Sequence, residues 1–217
     1  MVDYSNRRTM MVDTQVRPSD VTKFPIIDAM LSVPREVYVP DQLREAAYMG
    51  EHVELGGDRV ILEPRTFAKM LEALDVQPDH TVLDLGCGLG YSTAILARLA
   101  DFVVAVEDDA GLADEAQALL SAQGVDNAAV FEGPLAEGAA KNGPYDVVLL
   151  QGAVEQIPAA LLEQVKEGGR IVAIFAEGAL GVVRIGRKID GVLNWRMSFN
   201  AGAPVLAGFT SQATFTL

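Results

Sequence analysis

The chain has 217 residues, half of them hydrophobic, and a formal net charge of −13. This length favours one sizeable domain with its own core, and the acidic excess argues against a nucleic-acid-binding protein, which usually carries a basic face. One cysteine, no apolar leader and no 18-residue apolar run predict a cytoplasmic protein without disulfides or a membrane span. The two histidines and the cysteine lack ligand-type spacing, so no metal site is predicted.

The first 75 residues are predicted to be mainly helical. The predicted elements are helices over 5–16, ended by Pro18, over 22–31, capped by Asp20, and over 64–74, with Pro64 in its first turn. Residues 50–63 are predicted as a glycine-containing loop or a short hairpin.

From residue 81 onward, strand and helix patterns alternate. Strands are predicted at 82–85, 103–106, 128–131, 146–150 and 170–175, and helices at 92–99, 111–122, 159–165 and, briefly, 136–140. A hairpin of 181–188 and 193–199 and an extended segment at 213–217 follow. The pattern predicts an α/β fold, with a doubly wound, mostly parallel Rossmann-like sheet and an antiparallel C-terminal hairpin. We treat 1–217 as one domain, with a helical N-terminal extension (1–75) and a Rossmann-like core (76–217).

The most informative segment is residues 82–90, Val-Leu-Asp-Leu-Gly-Cys-Gly-Leu-Gly. An apolar strand runs into a glycine-rich turn, and a helical pattern follows. Glycines permit positive φ and let a ligand approach the main chain. The next strand ends in Glu107, roughly 20 residues on, where nucleotide-binding βαβ units place a carboxylate on a ribose. The alternative is a tight connection with a solvated Glu107.

The turn favours one class of ligand. It reads G-x-G-x-G behind Asp84 rather than G-x-G-x-x-G, and no Lys or Arg is evident near it in the sequence to meet a phosphate. A carboxylate at this point suits a ligand that carries positive charge and no phosphate. S-adenosylmethionine (SAM), which has a sulfonium and an ammonium group, fits this description better than NAD.

Residues 81–100 resemble motif I of the class I SAM-dependent methyltransferases. Several flanking segments resemble the protein-L-isoaspartate O-methyltransferases: residues 11–17 (Met-Val-Asp-Thr-Gln-Val-Arg), 28–40, 47–48, 157–158 and 165–169. The resemblance covers most of 10–175. It implies a SAM-dependent O-methyltransferase that acts on carboxylates of damaged aspartyl residues in proteins. The cofactor-binding residues that we expect are Asp84, Gly86, Cys87, Gly88, Gly90, Glu107, Asp108, Gly133, Pro134, Leu135 and Gln151.

The sequence departs from the family pattern at two positions. In members of the family, the segment before the helix that starts at Pro64 resembles Ile-Ser-Gln-Pro, and its serine acts in catalysis. In this chain Leu62 stands at the serine position and Glu63 at the next one. Family members have Gly-Asp-Gly after the third strand of the core, with the Asp on the adenine amine, where this chain has Gly-Pro-Leu with Pro134. That turn is either a plain connection or a weaker adenine pocket.

The acceptor-site departure leaves three interpretations open. Leu62 fills the cleft and Glu63 caps the next helix; Glu63 meets a basic or neutral substrate; or another residue such as Thr66 carries the family chemistry. The acceptor is therefore a protein, a peptide or a small molecule. The alternatives to isoaspartyl methylation are a SAM-dependent methyltransferase of another acceptor and a SAM-binding regulatory module without catalysis.

Overall fold

The N-terminal third of the chain consists of helices and one hairpin. Its elements are α1 (Tyr4–Met11), a π-helical turn (Val12–Val16), α2 (Phe24–Ser32), β1 (Val53–Gly56), β2 (Arg59–Ile61) and α3 (Pro64–Leu74). The predicted cap at Asp20 is wrong. Asp20 has a left-handed φ of 63°, and α2 begins after Lys23, with Pro25 in its first turn, where a missing N–H costs nothing.

The structure is a computed structural model that describes residues 3–177 and 180–211. A seven-stranded sheet forms its centre. Its strands are β3 (Thr81–Leu85), β4 (Phe102–Glu107), β5 (Ala128–Glu132), β6 (Tyr145–Val154), β7 (Val165–Glu177), β8 (Leu180–Ile189) and β9 (Val192–Asn200). The order is β5-β4-β3-β6-β7-β8-β9. The first five are parallel and the last two antiparallel, which confirms the predicted fold class. The segment predicted at 213–217 lies outside the described residues.

Helices α4 (Tyr91–Ala97), α5 (Ala110–Ala122) and α6 (Ala159–Leu162) follow β3, β4 and β6. The helix predicted over 159–165 is only one turn long, because Val165 already pairs with Tyr145 at the start of β7. The helix predicted at 136–140 is replaced by two short 3₁₀ turns, Leu135–Glu137 and Ala140–Asn142. Local propensity does not reveal the start of β7 at Val165, because pairing with a distant strand decides it.

The N-terminal helices share a hydrophobic core with one face of the sheet. Met11, Met30 and Phe67 belong to the same buried cluster as Val82 and Leu149. The helices therefore complete the layer over the strands that carry the glycine-rich turn. Within residues 3–177 and 180–211 no helix has both the length and the apolar character needed to cross a membrane.

Candidate active site

The glycine-rich turn connects β3 to α4 with three left-handed glycines. Gly86, Gly88 and Gly90 have φ values of 78°, 56° and 92°, and Gly90 is the N-cap of α4. Residues with a Cβ rarely adopt such angles. The turn therefore requires glycine at these positions, as the strand-turn-helix pattern predicted.

Glu107 ends β4 directly beneath this turn, and its side chain is 0% exposed. The carboxylate accepts N–H bonds from Gly88 (2.7 Å to Oε2) and from Asp108 (3.1 Å to Oε1). Burial alone would raise the pKa of Glu107, but the hydrogen-bonded ion pair with Arg59, together with the Gly88 N–H donor, outweighs burial and holds the pKa below its usual range. Glu107 is therefore an ionised carboxylate at the position where the sequence places a ribose-binding acid.

Arg59, from β2, reaches the same carboxylate. Its Nε lies 3.0 Å from Oε1 of Glu107 and its Nη2 lies 2.6 Å from Oε2, a bidentate pair. Asp108 is farther from Arg59, at 3.5 Å. The sequence-based expectation that no Lys or Arg lies near the turn is therefore wrong, because the hairpin brings in a cation from 27 residues before Gly86.

The hairpin also takes the space that the glycines leave free. A Cβ added to Gly86 would lie 2.6 Å from Arg59 Nη2, and one added to Gly88 would lie 2.5 Å from Leu55 Cδ1. The cavity between β2 and the turn has a volume of only about 10 Å³. A cavity of that size holds at most one water molecule, whereas pockets for small ligands measure roughly 300–1,000 Å³.

Asp84 lies on β3, one residue before the end of the strand, and is 0% exposed. Its carboxylate accepts hydrogen bonds from the hydroxyls of Ser92 (2.6 Å) and Thr93 (2.8 Å) and from the Gln151 amide (2.8 Å). Burial raises the pKa of Asp84, against the effect of these donors. Ser92 and Gln151 line the small cavity, so in this conformation Asp84 orients groups that face the cavity.

The remaining predicted cofactor positions surround the same edge of the sheet. Gly133 donates its N–H to the Glu107 carbonyl at 3.0 Å, Pro134 is exposed, and Leu135 is buried. Cys87 is buried within the turn, and burial raises the pKa of its thiol well above the usual value. A reactive thiolate is therefore disfavoured at Cys87.

The segment that carries Leu62 and Glu63 also faces the turn. Leu62 is 1% exposed and lines the small cavity, so its side chain fills the cleft. Glu63 holds the N-cap position of α3 without a side-chain bond to the backbone; its Oε1 accepts the Thr66 hydroxyl at 2.5 Å. The Glu63 N–H donates to Nδ1 of His52 (2.8 Å), whose Nε2 lies 2.8 Å from the Gly202 carbonyl oxygen.

A buried arginine holds the segment of Leu62 and Glu63 in place. Arg35 is 0% exposed and donates to the carbonyls of Ala47 (2.7 Å) and Leu62 (2.9 Å). Its guanidinium lies 4.7 Å from the centre of the Tyr91 ring. Burial lowers the pKa of Arg35. Arg35 therefore links the segment of Leu62 and Glu63 to Tyr91, the first residue of α4.

Replacing Arg35 by Ala is expected to lower the free energy of unfolding by about 2–4 kcal/mol, since two buried carbonyls lose their donor and a cavity forms. Urea unfolding followed by circular dichroism measures this. The matched control is Arg65→Ala, an exposed arginine on α3, which is expected to change stability by less than about 0.5 kcal/mol. Equal stability of the two variants would contradict a structural role for Arg35.

Sequence reasoning missed Arg59, Ser92 and Arg35. Ser92 is in the first turn of α4, where a hydroxyl can reach the strand that precedes the turn, so its position was a usable signal. Arg59 and Arg35 carry no such signal, because both reach the site through chain segments far from the glycines in sequence.

Comparison with known proteins connects this chain to one family. The model of the protein-L-isoaspartate(D-aspartate) O-methyltransferase family matches residues 6–198. A protein-L-isoaspartate O-methyltransferase from Syntrophus aciditrophicus is 37% identical over 169 residues, 78% of each chain. The enzyme of the same name from Roseiflexus castenholzii is 33% identical over 208 residues, 95% of each chain.

The chain belongs to the protein-L-isoaspartate(D-aspartate) O-methyltransferase family. The predicted family and the SAM-dependent O-methyltransferase class, with SAM as cofactor, are thereby confirmed at the level of the family. A family structure from Plasmodium falciparum, solved with S-adenosyl-L-homocysteine, matches the fold with a TM-score of 0.79 at 17% identity and covers 95% of this chain and 99% of that one.

Proposed function

We propose that this chain transfers the methyl group of SAM to the free carboxylate of isoaspartyl residues in damaged proteins. The observation that carries the proposal is the ionised Glu107 beneath the three-glycine turn, in a chain of this family. The acidic composition is unsuited to a nucleic-acid substrate, and membership of this family supports a protein or peptide acceptor. The single cysteine supports a reducing, cytoplasmic setting, and the shared core supports a single domain.

The donor set fits the cofactor in chemistry. Glu107 keeps two backbone N–H donors besides Arg59, so it stays ionised and ready to accept from a diol. Gln151 and Ser92 add polar groups at the cavity. The space does not fit in the conformation described, because Arg59 and Leu55 lie against the glycines. Binding therefore requires the hairpin to move.

The reaction asks little acid–base work of the protein. SAM, held at its ribose by Glu107, would supply an electrophilic methyl group to the acceptor carboxylate oxygen, with S-adenosyl-L-homocysteine as the leaving group. The acceptor is ionised at neutral pH, so no general base is needed. The protein contributes alignment and exclusion of water, and we assign the approach of the acceptor to the segment around Leu62.

A labelled-methyl assay with an isoaspartyl peptide, beside its aspartyl counterpart, tests the proposal, together with calorimetry of SAM binding. Glu107→Gln, made in an Arg59→Met background so that the arginine does not compete, is expected to weaken SAM binding by roughly 10–150-fold through loss of charge-assisted hydrogen bonds. Unchanged affinity would refute the ribose assignment.

If components of a cell extract are labelled and the isoaspartyl peptide is not, the result would instead favour a methyltransferase of another acceptor. Binding of SAM without any methyl transfer would favour a regulatory module. The replaced hydroxyl at Leu62 is the observation behind both alternatives.

A further inference from the structure

We propose that the β1–β2 hairpin is a lid over the cofactor site and that the Arg59–Glu107 ion pair latches it shut. The inference rests on the proposed function, because it assigns a gate to the SAM site. The hairpin, residues 53–61, forms a two-stranded sheet separate from the central one.

The latch occupies the groups that a ribose would use. Arg59 bonds to both carboxylate oxygens of Glu107, at 3.0 and 2.6 Å. A diol that binds Glu107 has to replace the guanidinium, because Arg59 and the N–H groups of Gly88 and Asp108 already fill the four acceptor positions of the carboxylate. Arg59 and the cofactor therefore compete for one carboxylate.

The closed lid leaves one buried donor unsatisfied. Nη1 of Arg59 is buried and has no partner among the described residues, 3.0 Å from the place of a Cβ on Gly86. An unsatisfied buried donor destabilises the conformation that contains it. The latch therefore combines a strong ion pair with a penalty that opening relieves.

The tip of the hairpin is able to move, whereas its base is anchored: Val53, Val60 and Ile61 are buried in the core that the hairpin shares with the central sheet. Its tip has positive φ at Gly56, Gly57 and Asp58, and a Cβ at either glycine would meet nothing within 4 Å. Isolated two-stranded hairpins are marginally stable. Beyond the Arg59 latch, the contact between Leu55 and Gly88 holds the tip against the turn.

Removing the latch is expected to tighten cofactor binding. Without the arginine, the closed state leaves Glu107 as a buried charge without its ion-pair partner, and the competent fraction of the protein rises. Apparent affinity scales with that fraction. Arg59→Met is therefore expected to bind S-adenosyl-L-homocysteine roughly 10–100-fold more tightly than the wild type by calorimetry.

The matched control is Arg44→Met, the same change in an exposed ion pair whose side chains are 50% and 85% exposed, with no expected effect on affinity. Should Arg59→Met fail to fold, Leu55→Ala removes the other contact of the tip and is expected to tighten binding about threefold or more.

Hydrogen exchange gives an independent readout. Added S-adenosyl-L-homocysteine is expected to speed exchange of the amides of the hairpin tip, 55–59, while slowing those of 86–90. If Arg59→Met binds S-adenosyl-L-homocysteine no more tightly than the wild type, or if the ligand slows exchange in the hairpin, the lid proposal is overturned. The proposed function would still stand if the wild type methylates the isoaspartyl peptide. Absence of binding by both proteins, correctly folded, would overturn both proposals.

Discussion

Glu107→Ala is expected to destabilise the protein by about 3–5 kcal/mol, because it leaves Arg59 as a buried charge without its partner. For a domain of this size, that loss corresponds to a fall of roughly 6–20 °C in Tm, measurable by calorimetry or circular dichroism. Glu107 is fully buried and its pair with Arg59 is bidentate. The effect is therefore expected to far exceed that of a surface ion pair.

Two comparisons isolate this effect. Asp41→Ala breaks an exposed pair with Arg44 and is expected to cost less than about 1 kcal/mol. The double change Arg59→Met with Glu107→Ala removes both charges and is expected to recover much of the lost stability. A double variant as unstable as Glu107→Ala would show that the loss comes from the cavity rather than from the unpaired arginine.

The pH dependence of this contribution follows from the lowered pKa of Glu107. The ion pair stabilises the folded state fully above the unfolded-state pKa, about 4.3 for Glu. It is lost as the pH falls through the lower folded-state value. The stability difference between the wild type and Glu107→Ala is therefore expected to be constant near neutrality and to narrow in acid.

Leu62→Ser combined with Glu63→Gln is expected to raise isoaspartyl methylation by on the order of 10²–10³ in rate, the usual effect of one preorganised donor. Leu62 fills the cleft with an apolar side chain, and under the proposed function Glu63 would place a negative charge beside the acceptor carboxylate. Steady-state methylation of an isoaspartyl peptide at saturating SAM measures the change.

Because Leu62 is buried, its replacement is expected to cost about 2–5 kcal/mol of stability, so assays belong well below the Tm. The matched control, Leu62→Ala with Glu63→Gln, creates a similar cavity without the hydroxyl and is expected to show little of the gain. Efficient methylation by the wild type, with no gain in the double variant, would show that this segment does not align with the family's serine loop.

Local sequence patterns were enough to predict the turn and the two acids around it. Strand, glycines and helix in residues 81–100 impose one backbone path, because left-handed positions need glycine and an apolar run needs burial. Glu107 follows from the spacing of the next strand, since parallel strands bring their carboxyl ends to one edge. The glycine spacing and Asp84 favoured SAM as the cofactor, and the family resemblance supported the same cofactor.

Only the tertiary structure revealed what covers the site. Arg59 and Leu55 lie on a hairpin that local propensity leaves undecided between loop and strand, and their contacts with Glu107 and Gly88 join residues more than 30 positions apart. Burial likewise placed the Asp84 carboxylate in hydrogen bonds with Gln151 and with the hydroxyls of Ser92 and Thr93. The spacing of residues along the chain predicts which of them share an edge of the sheet. Which side chains occupy the space beside the glycines depends on packing between distant segments.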